Sequence, residues 1–240
     1  MTTETKRIRF PWGLTIVCAL TFALLVWLGV WQLQRMQWKE GLIAQAEAAS
    51  KLPPVLLTTA LTEKNPEFRR VTLDCYGLEN AMAVEIHSIE EGRAGVRVVS
   101  ACPLPKGGAY DSIFVDRGFL DETESRRLPG EAAETSHVVG VLRVLPADDP
   151  IRSLLFTNSV GEPLSWREPA MMSAMLDVKR PAPFTLYSLT SSNPDWTALR
   201  PSAPPAAFSN NHLGYVLTWF GLALALVGFY IALLRRKLTS

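Results

Sequence analysis

The chain has 240 residues, of which 48% are hydrophobic and 20% charged, and its formal net charge is +1. This composition excludes a disordered chain of high net charge. No basic patch or nucleic-acid-binding motif occurs, so we expect no nucleic-acid partner. The charge is unevenly distributed, because both ends are basic while the middle carries 18 basic and 22 acidic side chains.

The first predicted element is a membrane-spanning helix over residues 12–34, preceded by a tail of residues 1–11. No charged side chain lies between Pro11 and Gln34. A cleavable signal peptide would have a shorter apolar region, of about 7–15 residues, and a cleavage site of small residues. The run instead ends in Gly29-Val30-Trp31-Gln32-Leu33-Gln34-Arg35. The sequence therefore predicts an uncleaved membrane anchor.

This helix is predicted to continue out of the membrane and to end before Pro53-Pro54, because residues 36–49 are rich in helix formers. One helical stripe carries four large side chains, at Trp27, Trp31, Arg35 and Trp38. The indole rings of Trp31 and Trp38 suit the level of the lipid headgroups. Arg35 between them either contacts phosphate and stacks on an indole, or pairs with an acidic group of a ligand.

The middle of the chain, residues 35–208, is predicted to be an outer domain rich in β-strands. Six runs of alternating or β-branched residues are bounded by Gly, Pro and Asp, over residues 68–76, 83–89, 95–101, 112–120, 137–144 and 184–188. Their mostly short connections suggest an antiparallel sheet that curls into a barrel or sandwich. A helix with a capping box at Ser165–Glu168, continued from Met171 to Leu176, interrupts the strands. The predicted fold class is a membrane protein in which two transmembrane helices flank an α+β outer domain, with an antiparallel, barrel-like sheet and one or two helices.

Two features of the outer domain stand out. Gly118 lies inside a strand pattern, which indicates a bulge or a close backbone approach. Cys75 and Cys102 have no C-x-x-C partner, so they do not form a metal-binding pattern. An oxidising compartment would allow a disulfide between them, but the sequence does not establish it.

A proline-rich connector over residues 193–205 leads into a second predicted span, residues 212–234, and a tail of residues 235–240. The run from Leu213 to Leu234 has no charged side chain. At helical rise it is about 33 Å long, which exceeds the bilayer core of about 30 Å. Asn210 and Asn211 are the candidate N-caps of this helix.

His212 lies at the mouth of the second span. It shares one helical face with Tyr215, Val216 and Trp219. An ionisable side chain in this position is a candidate ligand or proton-handling group. The alternative is an interfacial histidine that hydrogen-bonds to headgroups or to the outer domain. The positive end of the helix dipole favours neutral imidazole, the form that binds metal ions.

No catalytic constellation accompanies this histidine. The sequence has no G-x-S-x-G, H-E-x-x-H, P-loop or Rossmann motif, so we predict no catalytic residues and no enzymatic activity. His87 and His137 lie in strand patterns with ordinary neighbours, and we interpret both as surface or structural strand residues.

Four separated motifs follow one another along the chain: GVWQLQR at Gly29–Arg35, FRRV at Phe68–Val71, VDRGF at Val115–Phe119 and NHLGYVLTWF at Asn211–Phe220. Lys39, Leu42-Ile43 and Trp166 lie at further matching positions. Together with the two spans, this order resembles the Surf1/Shy1 family of cytochrome c oxidase assembly factors. The resemblance covers the chain from about Trp27 to Ala225.

The resemblance implies an assembly factor that binds or stabilises haem a and aids its insertion into the catalytic subunit of haem–copper oxidase. The implied partners are that subunit, the haem a synthesis machinery and membrane lipid, and the implied cofactor is transient haem a. His212 matches the histidine proposed as the haem ligand in bacterial members, so it is the candidate metal ligand. We expect the ring to lie among four aromatic side chains, Tyr215, Trp219, Trp27 and Trp31. From its position, we expect Arg35 to meet the propionates.

Two other classes of function are compatible with the sequence. A scaffold or accessory subunit without haem would bind an oxidase subunit through its spans and sheet. A haem-modifying enzyme would need an acid–base pair or a redox partner around His212, and none is evident. The sequence does not say whether the protein acts transiently or stays in the mature oxidase complex.

The two basic tails predict the location. By the positive-inside rule we expect both tails on the cytoplasmic or matrix side, so the middle domain is periplasmic in a bacterium or lies in the intermembrane space of a mitochondrion. Residues 1–10 are too short, and contain Glu4, for an Arg- and Ser-rich transit peptide. We therefore expect a two-pass protein of the bacterial inner membrane.

Overall fold

The structure is a computed structural model that describes residues 10–124, 135–149, 151, 162–202 and 211–239. The chain divides into two compact units. One, the helical unit, consists of Met1–Ala44 and Phe208–Ser240, and the other, the sheet unit, is Gln45–Ala207. The candidate N-cap Asn210 and part of the proline-rich connector lie outside the described residues.

Two long helices form the helical unit. Helix α1 is Trp12–Ser50 and the last helix of the chain, α4, is His212–Thr239. Both are long and apolar enough to cross a membrane. The prediction of one long first helix that continues past the span and ends before Pro53-Pro54 is confirmed.

The two helices pack as an antiparallel pair. Near the start of α1, the Thr15 hydroxyl lies 2.7 Å from the Tyr230 hydroxyl. Gly29 is buried farther along, where an added Cβ would lie 2.8 Å from the ring of Phe220. A residue without a side chain is needed there, because small residues let membrane helices approach closely. The polar contact at the other end of the pair joins Gln32 to His212.

The sheet unit contains seven described strands. They are β1 (Val55–Leu56), β2 (Arg70–Tyr76), β3 (Ala83–Glu90), β4 (Arg93–Pro103), β5 (Ser112–Asp121), β6 (Thr135–Val144) and β7 (Pro181–Ser188), in the spatial order β1-β2-β6-β7-β5-β4-β3. Short helices α2 (Leu57–Ala60) and α3 (Pro169–Met175) and a 3-10 turn (Leu78–Asn80) complete the unit. All six predicted strands are present, and the two-residue β1 is additional.

The sheet is mixed, whereas the sequence led us to expect an antiparallel one. Strand β7 inserts between β6 and β5, antiparallel to β6 and parallel to β5. β1 is parallel to β2. The expectation failed because alternation along a strand reports which face is buried but not the direction of its neighbour. A parallel neighbour requires a long crossover connection, and the chain between β5 and β7 includes β6 and α3.

Helix α3 starts later than predicted. Its first residue is Pro169, and Glu168 before it has extended backbone angles and no capping hydrogen bond from its side chain. The predicted capping box at Ser165 is therefore wrong. Proline disfavours helical geometry in the residue before it and is itself well suited to the first helical position, so it sets the start of the helix.

The sheet curls strongly around its core. Strands β2 and β4 are separated by three strands, so a flat sheet would place them about 19 Å apart. The Cα atoms of Cys75 in β2 and Cys102 in β4 are only 5.8 Å apart, and the two residues form a disulfide. Both cysteines are buried among the apolar side chains of these strands. Within the described residues no ladder joins β1 to β3, and the curl gives the sheet the predicted barrel-like form.

Thiol titration tests the disulfide. We expect one free thiol, that of Cys18, in the unreduced, denatured protein and three after reduction. Because the disulfide encloses a sequence separation of 27 residues, its loss in Cys75→Ser/Cys102→Ser should lower the free energy of unfolding by about 3.5 kcal/mol. Cys18→Ser is the control, and three free thiols before reduction would contradict the pairing.

Gly118 confirms the predicted close approach. Its φ is +137°, and an added Cβ would lie 2.2 Å from the carbonyl oxygen of Arg200. The register between β4 and β5 shifts beside it, between Val98 and Val99. The backbone amide and carbonyl of Phe119 both bond to Arg200, at 2.8 and 2.9 Å. The bulge therefore fixes the segment around Arg200 against β5.

A charged cluster is buried beneath the same strand. The Asp116 carboxylate has no exposed surface and accepts hydrogen bonds from Arg97 Nε, at 2.7 Å, and from Arg167. Burial opposes the charged form of Arg97, but the attraction of Asp116 and Glu90 outweighs it and raises the pKa of the guanidinium. Both arginines also lie over the ring of Tyr187, whose pKa is raised mainly by burial.

This cluster connects distant parts of the sheet unit. Arg97 donates to the Ser202 hydroxyl at 2.9 Å, and it forms a salt bridge with Glu90. Ion pairs, cation–π contacts and hydrogen bonds therefore connect strands β4, β5 and β7 to the segments that carry Arg167 and Ser202. Buried ion pairs of this kind do not guarantee high stability, but removing one partner leaves an uncompensated buried charge.

Candidate functional site

The polar contact between the two long helices centres on His212, the first residue of α4. Its Nδ1 lies 2.6 Å from Oε1 of Gln32 in α1. An amide oxygen only accepts hydrogen bonds, so Nδ1 carries the proton and donates it. Of the two neutral tautomers, the one with its proton on Nδ1 has the lone pair on Nε2.

Nε2 of His212 is buried, and no described residue offers it a hydrogen-bond partner. An unsatisfied buried polar atom is costly, so its presence needs a reason. Histidines that bind metal ions donate their other ring N–H to a carbonyl or carboxylate, which fixes the tautomer and the orientation of the ring. His212 has this arrangement, with Gln32 as the acceptor. The residues therefore fit an axial ligand of haem iron.

Trp219 lies two turns farther along the same face of α4. It is half-buried, and its Nε1 is a second buried atom without a hydrogen-bond partner among the described residues. Val216 between them is buried. The contact face of α4 thus presents an imidazole nitrogen, an aliphatic side chain and an indole, which are groups that suit the edge and face of a large apolar ring.

The other aromatic residues of the predicted site lie on the outer surface of the helix pair. Tyr215 is 56% exposed, Trp31 46% and Trp27 62%. The structure therefore does not gather them around His212. Tyr215 is three residues along α4 from His212, which is about 60° around the helix axis and at the border of the contact face.

Arg35 also lies on the exposed side of α1. Its guanidinium stacks on the indole of Trp38, 4.2 Å from the ring centroid. This is the cation–π contact that the sequence offered as one alternative. Arg35 is one turn along α1 from Gln32, about 60° around the axis, so it borders the contact face as Tyr215 does.

Gln32 is the site residue that the sequence reasoning missed. The available signal was an uncharged polar side chain inside an apolar span, since such groups usually face another helix or a functional site. Gln34 carries the same signal two residues later, yet it is exposed. Only the packing of the two helices identifies Gln32 as the partner of His212.

The described residues contain no other strong candidate for a metal or haem ligand. No group of three or more His, Cys, Asp or Glu side chains is placed to hold a metal ion in the described ranges. His137 forms an exposed pair with Asp74, with 2.6 Å between Nδ1 and Oδ1. His87 is exposed on β3.

Comparison with known proteins gives the family. The SURF1 family model matches residues 19–224, which is most of the chain. The chain belongs to the SURF1 family. A SURF1-like protein of Monosiga brevicollis is 27% identical over 94% of this chain and 87% of its own length. A SURF1-like protein of Rickettsia felis is 26% identical over 94% of this chain and 98% of its own length.

Vertebrate relatives match as well. Surfeit locus protein 1 of Gallus gallus is 27% identical over 89% of this chain and 72% of its own length. SURF1-family proteins are oxidase assembly factors rather than a catalytic family. Membership assigns this chain that general role, and its two long apolar helices fit a two-pass membrane protein.

Proposed function

We propose that this SURF1-family protein binds haem a through Nε2 of His212 and aids its insertion into the catalytic subunit of a haem–copper oxidase. One observation carries the proposal. Nε2 is buried and unpartnered among the described residues, while Gln32 holds the proton on Nδ1. When bound, haem a would supply an iron centre for which the imidazole of His212 would be a ligand.

Each residue has a distinct part in this proposal. Gln32 fixes the orientation of the imidazole and the proton position on Nδ1 by accepting the Nδ1 hydrogen bond. Trp219 provides an indole on the same face for contact with the ring. Tyr215 and Trp31 flank the helix pair and would extend the aromatic surface. Arg35 would pair with a propionate, because a guanidinium binds carboxylates in a bidentate manner.

The proposal extends to partners and location. The haem a synthesis machinery would supply the cofactor, which is held only transiently, and the protein would catalyse no reaction itself. We propose that both basic termini are cytoplasmic and that the sheet unit is periplasmic in a bacterial inner membrane, because basic flanking segments favour the cytoplasmic side. The antiparallel packing of the two long helices supports a common side for the two termini. The Cys75–Cys102 disulfide supports an oxidising compartment for that unit.

Optical spectroscopy tests the proposal directly. The full-length protein would be purified in detergent from cells that also overproduce haem a. We expect a haem a spectrum that corresponds to at most one haem per protein chain. Added imidazole should compete with His212 for the iron and change this spectrum. A protein that is folded, shows the disulfide and carries no haem would contradict the proposal.

One feature favours the scaffold as a second candidate. The indoles of Trp27, Trp31 and Trp38 lie on an exposed stripe of α1, and at helical rise Trp27 lies about 6 Å deeper in the span than Trp31. An indole N–H in the hydrocarbon region lacks a hydrogen-bond acceptor unless another protein supplies one. Loss of co-purifying oxidase subunit in Trp27→Leu, with haem binding unchanged, would support the scaffold.

Substitutions of Gln32 test whether this residue positions the imidazole of His212 for binding haem iron. Gln32→Leu leaves Nδ1–H without an acceptor, and we expect haem affinity to fall about 10- to 100-fold. Gln32→Glu retains an acceptor and makes the imidazole a stronger electron donor, so it should keep the haem and lower its reduction potential. Titration with haem a and potentiometry measure these two effects.

The same helix offers the control. Gln34→Leu makes the same chemical change at an exposed position and should leave both affinity and potential unchanged. Equal haem affinities for Gln32→Leu and Gln34→Leu would remove Gln32 from the site.

A further inference from the structure

A groove of about 620 Å³ opens on one face of strands β3, β4 and β5 in the sheet unit. Its floor contains three apolar side chains, of Ile89, Val96 and Leu120. Ile89 is 74% exposed, the most exposed of the large apolar side chains in the sheet unit. The size is within the range of ligand-binding clefts.

The described lining of the groove is acidic. It includes four carboxylates, those of Glu85, Asp121, Glu122 and Glu124, and no lysine or arginine among the described residues. Asp121 is 3.4 Å from Arg93, and Glu124 is 2.9 Å from Arg200. Hydrogen bonds from the backbone amide and hydroxyl of Thr123 lower the pKa of Asp121, so this carboxylate also remains charged.

Among the described residues, the other two carboxylates have no such basic partner. Glu85 and Glu122 form no salt bridge or side-chain hydrogen bond within the part of the chain that the structure describes. Both line the same groove from opposite sides of β4, since Glu85 lies in β3 and Glu122 directly follows β5. Carboxylates that have no counter-charge attract a cationic partner to the surface that carries them.

We propose that this groove docks a basic, extended segment of a partner protein, with an apolar side chain on Ile89, Val96 and Leu120 and lysine or arginine side chains at Glu85 and Glu122. A segment with a basic residue on each side of an apolar one matches the groove, in which the apolar side chains are flanked by the carboxylates of Glu85 and Glu122. Alternating residues of an extended chain point to one face, so basic, apolar and basic side chains two positions apart can enter the groove together. The surface is distinct from the His212 site and does not depend on haem.

Photo-cross-linking tests the proposal with a defined probe. The probe is the capped pentapeptide lysine–serine–photoleucine–serine–lysine, whose single apolar residue limits its binding to detergent. It would be irradiated with the full-length protein in neutral detergent, and the cross-linked residues mapped by mass spectrometry. We expect saturable labelling within β3, β4 and the end of β5. Glu85→Gln/Glu122→Gln should weaken binding about fivefold, because two exposed ion pairs are lost.

Three controls make the outcome decisive. Glu40→Gln/Glu47→Gln removes the same charge at exposed positions of α1 and should leave labelling unchanged. Ile89→Ser should weaken labelling although it removes no charge. A peptide with glutamate in place of lysine should not label the groove. Equal labelling of the two double variants, or labelling of the groove by the glutamate peptide, would overturn the proposal. The haem spectrum of Glu85→Gln/Glu122→Gln should match that of the parent, so a failure here leaves the proposed haem site standing.

Discussion

Protein carrying His212→Ala should be purified without haem a, while its helices insert and its sheet unit folds as in the parent. The substitution removes the proposed iron ligand, whereas loss of a hydrogen-bond partner to a ligand costs only about 10- to 100-fold in affinity. We therefore expect an affinity loss of more than about 100-fold. Haem content by pyridine haemochrome assay and titration with haem a measure it.

The chain supplies its own controls for this result. His137→Ala removes an exposed histidine that forms a pair with Asp74 and should retain full haem content. Arg35→Ala should weaken haem retention without changing the spectral signature of the axial ligand, because a propionate contact is separate from the iron bond. Full haem occupancy of folded His212→Ala would refute ligation by this residue and would shift the weight to the scaffold function.

The second large effect is expected at Asp116. Asp116→Asn keeps the size of the side chain but removes the charge that Arg97 and Arg167 share. Arg97 is only 2% exposed and cannot regain water. Breaking a buried ion pair on one side costs about 3–5 kcal/mol, and we expect a loss of this size in the free energy of unfolding of the sheet unit.

Hydrogen exchange at increasing urea concentration locates this loss. The amides of β4, β5 and β7 should exchange at lower urea concentration in Asp116→Asn than in the parent. Asp74→Asn is the matched control, since Asp74 lies in strand β2, is exposed and, among the described residues, pairs with His137 on the surface. Asp74→Asn should lower the free energy of unfolding by less than about 1 kcal/mol. Equal losses in the two variants would mean that the buried cluster contributes no more than a surface pair.

The sequence predicted the elements that depend on local patterns. Uncharged runs of sufficient length identify the two spans, because burying a charge in hydrocarbon is costly over any stretch of about 20 residues. Period-two alternation identified six strands, and Gly118 marked the close approach to Arg200. The separated motifs carried the family resemblance. Each of these signals is contained in a few neighbouring residues.

The choice of partners across the chain was decided only by tertiary structure. The parallel direction of β7 beside β5, the pairing of Cys75 with Cys102 and the contact of Gln32 with His212 join residues that are far apart in sequence. An alternating pattern has the same energy of burial next to a parallel or an antiparallel neighbour, so it leaves the direction open. Likewise, two glutamines in one span are equivalent until the second helix packs against one of them. The sequence thus determined which segments are apolar enough to span a membrane, which runs form strands and that His212 stands at a helix terminus. The fold decided that Gln32 pairs with Nδ1 of His212 and that the buried Nε2 has no partner among the described residues.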